Sequence, residues 1–66
     1  MYRTNIRSLR KSRHLSQEAL AERCDVTRET INRIENGKYE PSFKLLQRFA
    51  SELGITLEDL FREQSA

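Results

Sequence analysis

The sequence predicts an all-α fold of five short helices, and three observations predict it. Apolar residues recur at helical spacing, as in Leu20, Ala21 and Cys24, or Leu46, Phe49, Ala50 and Leu53. Glycine and proline, which interrupt helices, are confined to Gly37, Pro41 and Gly54. No segment alternates apolar and polar residues with period two, so no strand is expected.

Each element has its own justification. Residues 4–12 form the first helix, with Ile6 and Leu9 inward and Arg3, Arg7, Lys11 and Arg13 outward. Ser16 is a good N-cap for the second helix, whose apolar face is Leu20, Ala21 and Cys24. Thr27 caps the third, which packs through Ile31 and Ile34. Asn36-Gly37 ends it, Gly37 suiting the left-handed position beyond a helix. Pro41 and Ser42 open the fourth helix over residues 43–53, with Leu46, Phe49, Ala50 and Leu53 inward and Gly54 as its stop. Thr56 caps a short fifth helix over residues 57–61, and Asp59, three residues on, makes a weak capping box. Residues 64–66 are expected to fray.

Size and composition narrow the function. The 66 residues read as one domain, residues 1–66, with no repeat or linker. A domain this small buries only about 60% of its unfolded surface, so a second subunit would help it. The single Cys24 rules out an internal disulfide and suits a reducing, cytoplasmic setting. No apolar run approaches the roughly 18 residues of a membrane span. The opening MYRTNIRSLRKS has charges throughout and lacks the apolar centre of a secretion signal. Net charge is only +2, but it is uneven. Residues 1–38 hold nine Lys/Arg against five Asp/Glu, a balance of +4, while residues 39–66 hold three against five, a balance of −2. The first part suits a polyanion, although a solvated mixed surface would look similar.

Catalytic chemistry finds little support. His14 and Cys24 lie on different elements, and Cys24 faces the predicted core, where a thiol is structural. One Cys and one His cannot close a zinc site. Glu58, Asp59 and Glu63 cluster, but on the exposed side of a terminal helix, where a solvated face or charge at a helix N-terminus explains them. There is no glycine-rich phosphate loop. No catalytic residue, metal, cofactor or small-molecule ligand is expected.

Residues 16–38 carry most of the functional signal. They read as two helices joined by a tight turn, a helix-turn-helix over about residues 16–36. Helices that cross steeply need a small residue at their approach, and Ala21 sits there. The turn needs one residue with positive φ, and Asp25 tolerates it better than most. Val26 plugs the corner against Ile31, and Leu20, Cys24 and Ile34 complete a shared core.

The third helix can be tested by angle. At about 100° per residue, with Arg28 at zero, Asn32 lies near roughly 40°, Glu29 near roughly 100° and Arg33 near roughly 140°. Ile34 and Ile31 fall near roughly 240° and 300°, on the other side. The polar strip of Arg28, Glu29, Asn32 and Arg33 holds the side chains that read base edges in the major groove. Arginine pairs with guanine, asparagine with adenine, and glutamate accepts from cytosine. A charged solvent face is the competing reading. Glu29 and Arg33 have the i,i+4 spacing and order that let them pair with each other.

The stretch LSQEALAERCDVTRETINRIENGKYEPS, followed by LLQRFASELGITLEDLF, resembles the Cro/phage-repressor, or XRE-like, helix-turn-helix family over about residues 5–61. The elements SQ-x-x-LA, V-T-R-x-T-I and IENGK-x-x-PS carry the resemblance. Asp25 departs from it, since the family usually has glycine there. The resemblance implies a compact five-helix, lambda-repressor-like DNA-binding fold. It also implies roles: Gln17, Thr27, Thr30, Asn36, Lys38 and Tyr39 at DNA phosphates, and Arg28, Glu29, Asn32 and Arg33 at bases. Arg10 and Glu35 match a position pair that forms a partly buried ion pair in several relatives.

The expected function is sequence-specific binding of double-stranded DNA by a transcriptional regulator, a repressor or autoregulator. It would act as a homodimer on an inverted repeat, in the cytoplasm and on the nucleoid when bound. Four apolar residues, Ile55, Leu57, Leu60 and Phe61, are expected to build the dimer surface, unless they close the core instead. An antitoxin- or coactivator-like protein-interaction module on the same fold is the alternative. It would not need Gln17, Thr27, Arg28 and Lys38 together on one side.

Overall fold

Hydroxyl residues begin the helices where the sequence places them. In the computed structural model, which describes residues 4–62, Ser16, Thr27 and Ser42 are each extended in backbone. Their side-chain oxygens accept from Ala19 N–H at 3.0 Å, Thr30 N–H at 3.2 Å and Leu45 N–H at 3.1 Å. Each satisfies one of the donors that a helix start leaves unpaired. The elements are α1 (Ile6–Ser12), α2 (Gln17–Cys24), α3 (Arg28–Glu35), α4 (Phe43–Leu53) and a terminal 3-10 turn, Glu58–Phe61. There is no strand among the described residues. Arg3, Glu63 and residues 64–66 lie outside the described residues.

The helix ends share one device. A residue past each helix turns left-handed: His14 at φ 57°, Asp25 at 59°, Gly37 at 71° and Gly54 at 69°. The following N–H then closes back on the helix: Leu15 on Arg10 O, Val26 on Ala21 O, Lys38 on Arg33 O and Ile55 on Ala50 O, at 2.8–3.1 Å. These bonds satisfy carbonyls at the helix ends. Asp25 takes the turn between α2 and α3 in this conformation without glycine.

Two expectations are corrected at the chain's ends. The first helix starts at Ile6 rather than residue 4, because Asn5 is tied across the molecule. Its N–H donates to Leu60 O at 2.8 Å, and its side-chain amide donates to Arg62 O at 3.0 Å. The fifth helix is a 3-10 turn rather than an α-helix. Asp59 N–H bonds Thr56 O and Leu60 N–H bonds Leu57 O, both at 3.1 Å with i→i+3 spacing. The capping box is present: Thr56 N–H donates to Asp59 Oδ2, and Asp59 N–H donates to Thr56 Oγ1, both at 3.2 Å. Those Thr56 bonds hold the Asp59 carboxyl below its ordinary value.

Every element sends one fully buried side chain to the core: Ile6, Leu20, Ile31, Phe49 and Leu60. Ala21, Cys24, Ile34, Leu46, Ala50 and Leu53 surround them, and Leu9, Leu15, Val26, Leu45, Ile55 and Leu57 pack at the margin. Leu60 is 0% exposed, so it closes the core and forms no part of a surface. Ile55 and Leu57 are half-buried for the same reason. The apolar surface keeps Phe61 of the expected four, 38% exposed, and adds Phe43, 62% exposed. With Leu46 and Leu57 they line a shallow groove of about 410 Å³.

Candidate nucleic-acid interface

Ile31 and Ile34 pin α3 to the core, and the side chains across the helix from them meet solvent. Arg28, Glu29, Asn32 and Arg33 are all exposed. Arg28 occupies the first position of α3, directly after the Thr27 cap. Arg33 Nη2 lies 3.2 Å from Glu29 Oε2, with the side chains 58% and 72% exposed. An ion pair so open to water stabilises little. Thr27 and Thr30 join hydroxyl to hydroxyl at 2.9 Å beside the cap.

Beyond the helix, Asn36 is locked in place. Its Nδ2 donates to Asn32 O at 2.8 Å, and its Oδ1 accepts from Arg7 Nη2 at 3.1 Å. Lys38 and Tyr39 are exposed in the loop that follows. At the start of α2, Gln17 is half-buried. Its Nε2 donates to Glu35 Oε1 at 3.0 Å.

Glu35 is therefore the junction of three helices. Its side chain is 0% exposed. Arg10 grips it with two bonds, Nε to Oε2 at 2.7 Å and Nη2 to Oε1 at 3.2 Å, and donates through Nη1 to Leu15 O at 2.7 Å. Arg7 Nε adds a bond to Oε1 at 3.3 Å. Burial by itself pushes the Glu35 carboxyl up, but the Arg10, Gln17 and Arg7 hydrogen bonds and the Arg10 charge outweigh it. The carboxyl is held below its ordinary value and stays ionised at neutral pH. The buried Arg10, 8% exposed, thus keeps its counter-charge.

The structure brings Arg10, Gln17, Glu35 and Asn36 into one bonded cluster and sets Arg28, Glu29, Asn32 and Arg33 on one open strip. It does not gather Ile55, Leu57, Leu60 and Phe61 into one surface. Three arginines have roles that sequence reading missed. Arg7 and Arg13, expected simply to face out, are engaged. Arg7 joins the Glu35 cluster, and Arg13 Nε donates to Leu53 O at the end of α4 at 2.8 Å. Arg48 donates to Arg23 O near the end of α2, at 2.8 and 3.1 Å. Arg7 had a signal, since it stands three residues before Arg10 on one helical face. Arg13 and Arg48 had none, because a bond to a distant carbonyl leaves no local pattern. Cys24 is buried, and burial, then the Glu52 charge, pushes its thiol up to about 11. A neutral buried thiol is a poor nucleophile. Among the described residues, no His, Cys, Asp or Glu group could hold a metal ion, and no helix is long and apolar enough to cross a membrane.

A helix-turn-helix family model matches residues 6–60, which includes the strip, the turn and the cluster behind them. The chain belongs to the XRE-like helix-turn-helix family. This helix-turn-helix protein is 52% identical over 60 residues to an uncharacterized HTH-type transcriptional regulator of Methanothermobacter thermautotrophicus, covering 89% of this chain and 87% of that one. It is 35% identical to the immunity repressor protein of Bacillus phage phi105, covering 91% of this chain but 42% of the repressor. Among solved structures it is similar to SinR, the master regulator for biofilm formation, in complex with DNA. There the TM-score is 0.80 and the identity 26%, with 86% of this chain and 92% of that chain covered.

Proposed function

We propose that this helix-turn-helix protein is a sequence-specific, double-stranded-DNA-binding transcriptional regulator that places α3 in the major groove. The observation that carries this reading is the strip of Arg28, Glu29, Asn32 and Arg33, exposed opposite the buried Ile31 and Ile34. Those four side chains read bases. Gln17, Thr27, Thr30, Asn36, Lys38 and Tyr39 flank them and contact phosphates, which set register and affinity while the bases set sequence choice. Family membership and the likeness to a regulator bound to DNA support it.

One strip covers half a site, so the protein acts as a homodimer on an inverted repeat, with half-site centres about 34 Å apart. The Phe43–Leu46–Leu57–Phe61 groove is the surface for the second copy, because it is apolar and exposed. Its action is repression or autoregulation, in keeping with the likeness to a phage immunity repressor. Selection of bound duplexes from a random pool tests the whole reading. A palindromic consensus supports it. A mobility-shift assay on bulk DNA at low salt that shows no complex refutes it and favours a protein-interaction module. Sedimentation with operator DNA tests the dimer, and a strict monomer on the DNA would remove it.

A further inference from the structure

The cluster around Glu35 contains more positive charge than it needs. Arg10 neutralises Glu35 with two bonds and is itself buried. Arg7 supplies a second positive charge to the same carboxylate, and its side chain is 50% exposed. Among the described residues, two of its N–H donors are committed, Nε to Glu35 at 3.3 Å and Nη2 to Asn36 Oδ1 at 3.1 Å. The rest of the guanidinium fork, a geometry suited to phosphate, is left for another ligand.

Its neighbours say which ligand. Arg7 touches Asn36 directly and shares Glu35 Oε1 with Gln17. Asn36 and Gln17 are two proposed phosphate contacts joined through Arg7 and Glu35, yet both already bond inside the protein. The Asn36 amide donates to Asn32 O, and the Gln17 amide donates to Glu35. A phosphate drawn to either would meet the Arg7 guanidinium within hydrogen-bond reach of the same atoms. We infer that Arg7, on α1 and outside the helix-turn-helix, is a direct ligand of a DNA backbone phosphate at the Gln17–Asn36 edge. Glu35 holds the Arg7 Nε and so aims the outer edge of the fork. The inference rests on the proposed DNA-binding function.

Two variants and one control test it. Arg7→Gln removes the charge but retains a donor for Glu35, which Arg10 and Gln17 still satisfy, so the fold survives. Arg7→Lys retains the charge without the fork. Lys11→Gln removes an equal charge from an exposed position on the same helix. Affinity for one duplex is measured across a series of salt concentrations. Each released phosphate contact lowers the slope of log K against log salt by about 0.9. Arg7→Gln should show that loss, while Arg7→Lys and Lys11→Gln should keep the wild-type slope. Phosphate-ethylation interference gives a second readout. One phosphate that blocks wild-type binding when ethylated should become indifferent in Arg7→Gln. A wild-type slope and an unchanged interference pattern in Arg7→Gln, whatever its affinity, would overturn the inference and leave Arg7 as a staple between helices. Absence of salt-dependent binding by the wild type would overturn the DNA-binding reading itself.

Discussion

Glu35 and Glu29 both stand on α3 and both bond an arginine, yet they belong to different economies of the molecule. Glu35 is sealed, accepts from three side chains and joins α1, α2 and α3. Glu29 is 72% exposed and meets Arg33, one turn away at 3.2 Å. Removing one partner of a buried pair strands a charge where water cannot reach it. Removing one partner of an exposed pair returns the other to solvent. The inner pair therefore holds α3 in place, and the outer pair is left to exchange with solvent. The difference lies in depth, not in residue type.

The most severe way to break this contrast is Glu35→Ala. It leaves Arg10 buried without its counter-charge, at about 3–5 kcal/mol. A chain of this size has roughly 3–10 kcal/mol in total. Loss of the cooperative helical transition on heating is expected. A melting temperature near that of wild type would show that the cluster is not structural. A gentler probe is acid. Because the folded state holds Glu35 below its ordinary value, the unfolded chain takes up the proton first as pH falls. The stability that Glu35 contributes is complete above the ordinary carboxylate range. It is lost as pH drops through that range toward the lowered folded value. Denaturant titrations at several pH values should show this decline in wild type and a shallower one in Glu35→Gln.

The outer strip should respond in the opposite currency. Arg28→Ala should keep the wild-type melting curve and lose about 1–3 kcal/mol of discrimination at one base position. Equal losses on matched and scrambled duplexes would show that Arg28 does not read bases. Lys38→Ala should weaken all duplexes alike and lower the salt slope by about 0.9. A loss confined to the matched duplex would count against a phosphate role. The smallest effect belongs to Glu29→Ala, within about 0.5 kcal/mol of wild-type stability. A larger destabilisation in a chemical-denaturation curve would mean that the Glu29–Arg33 pair is structural after all.

Much of the fold could be read from residue types. Ser16, Thr27 and Ser42 mark helix starts because their short oxygens reach a backbone N–H that the helix cannot satisfy. Asp25, Gly37 and Gly54 mark ends because they accept a left-handed backbone. Leu46, Phe49, Ala50 and Leu53 mark the inner face of α4 by spacing alone. His14 could not be read this way. Its left-handed turn is imposed by the Leu15 closure on Arg10 O, and nothing in a histidine announces it. The exposed polar strip of α3 was legible as a helical angle. The partnership of Arg7 with Asn36 was not, because it joins residues far apart in the chain.

By itself, then, the sequence determined the caps of α2, α3 and α4, which faces are apolar and which side of α3 is polar. These properties are local, set by side-chain chemistry within one or two turns. Only the tertiary structure decided which charges are buried and which are available. It left Arg7 half in solvent, drew Leu60 into the core and exposed Phe43. Burial depends on what the rest of the chain places against a residue, and helical periodicity carries no record of that.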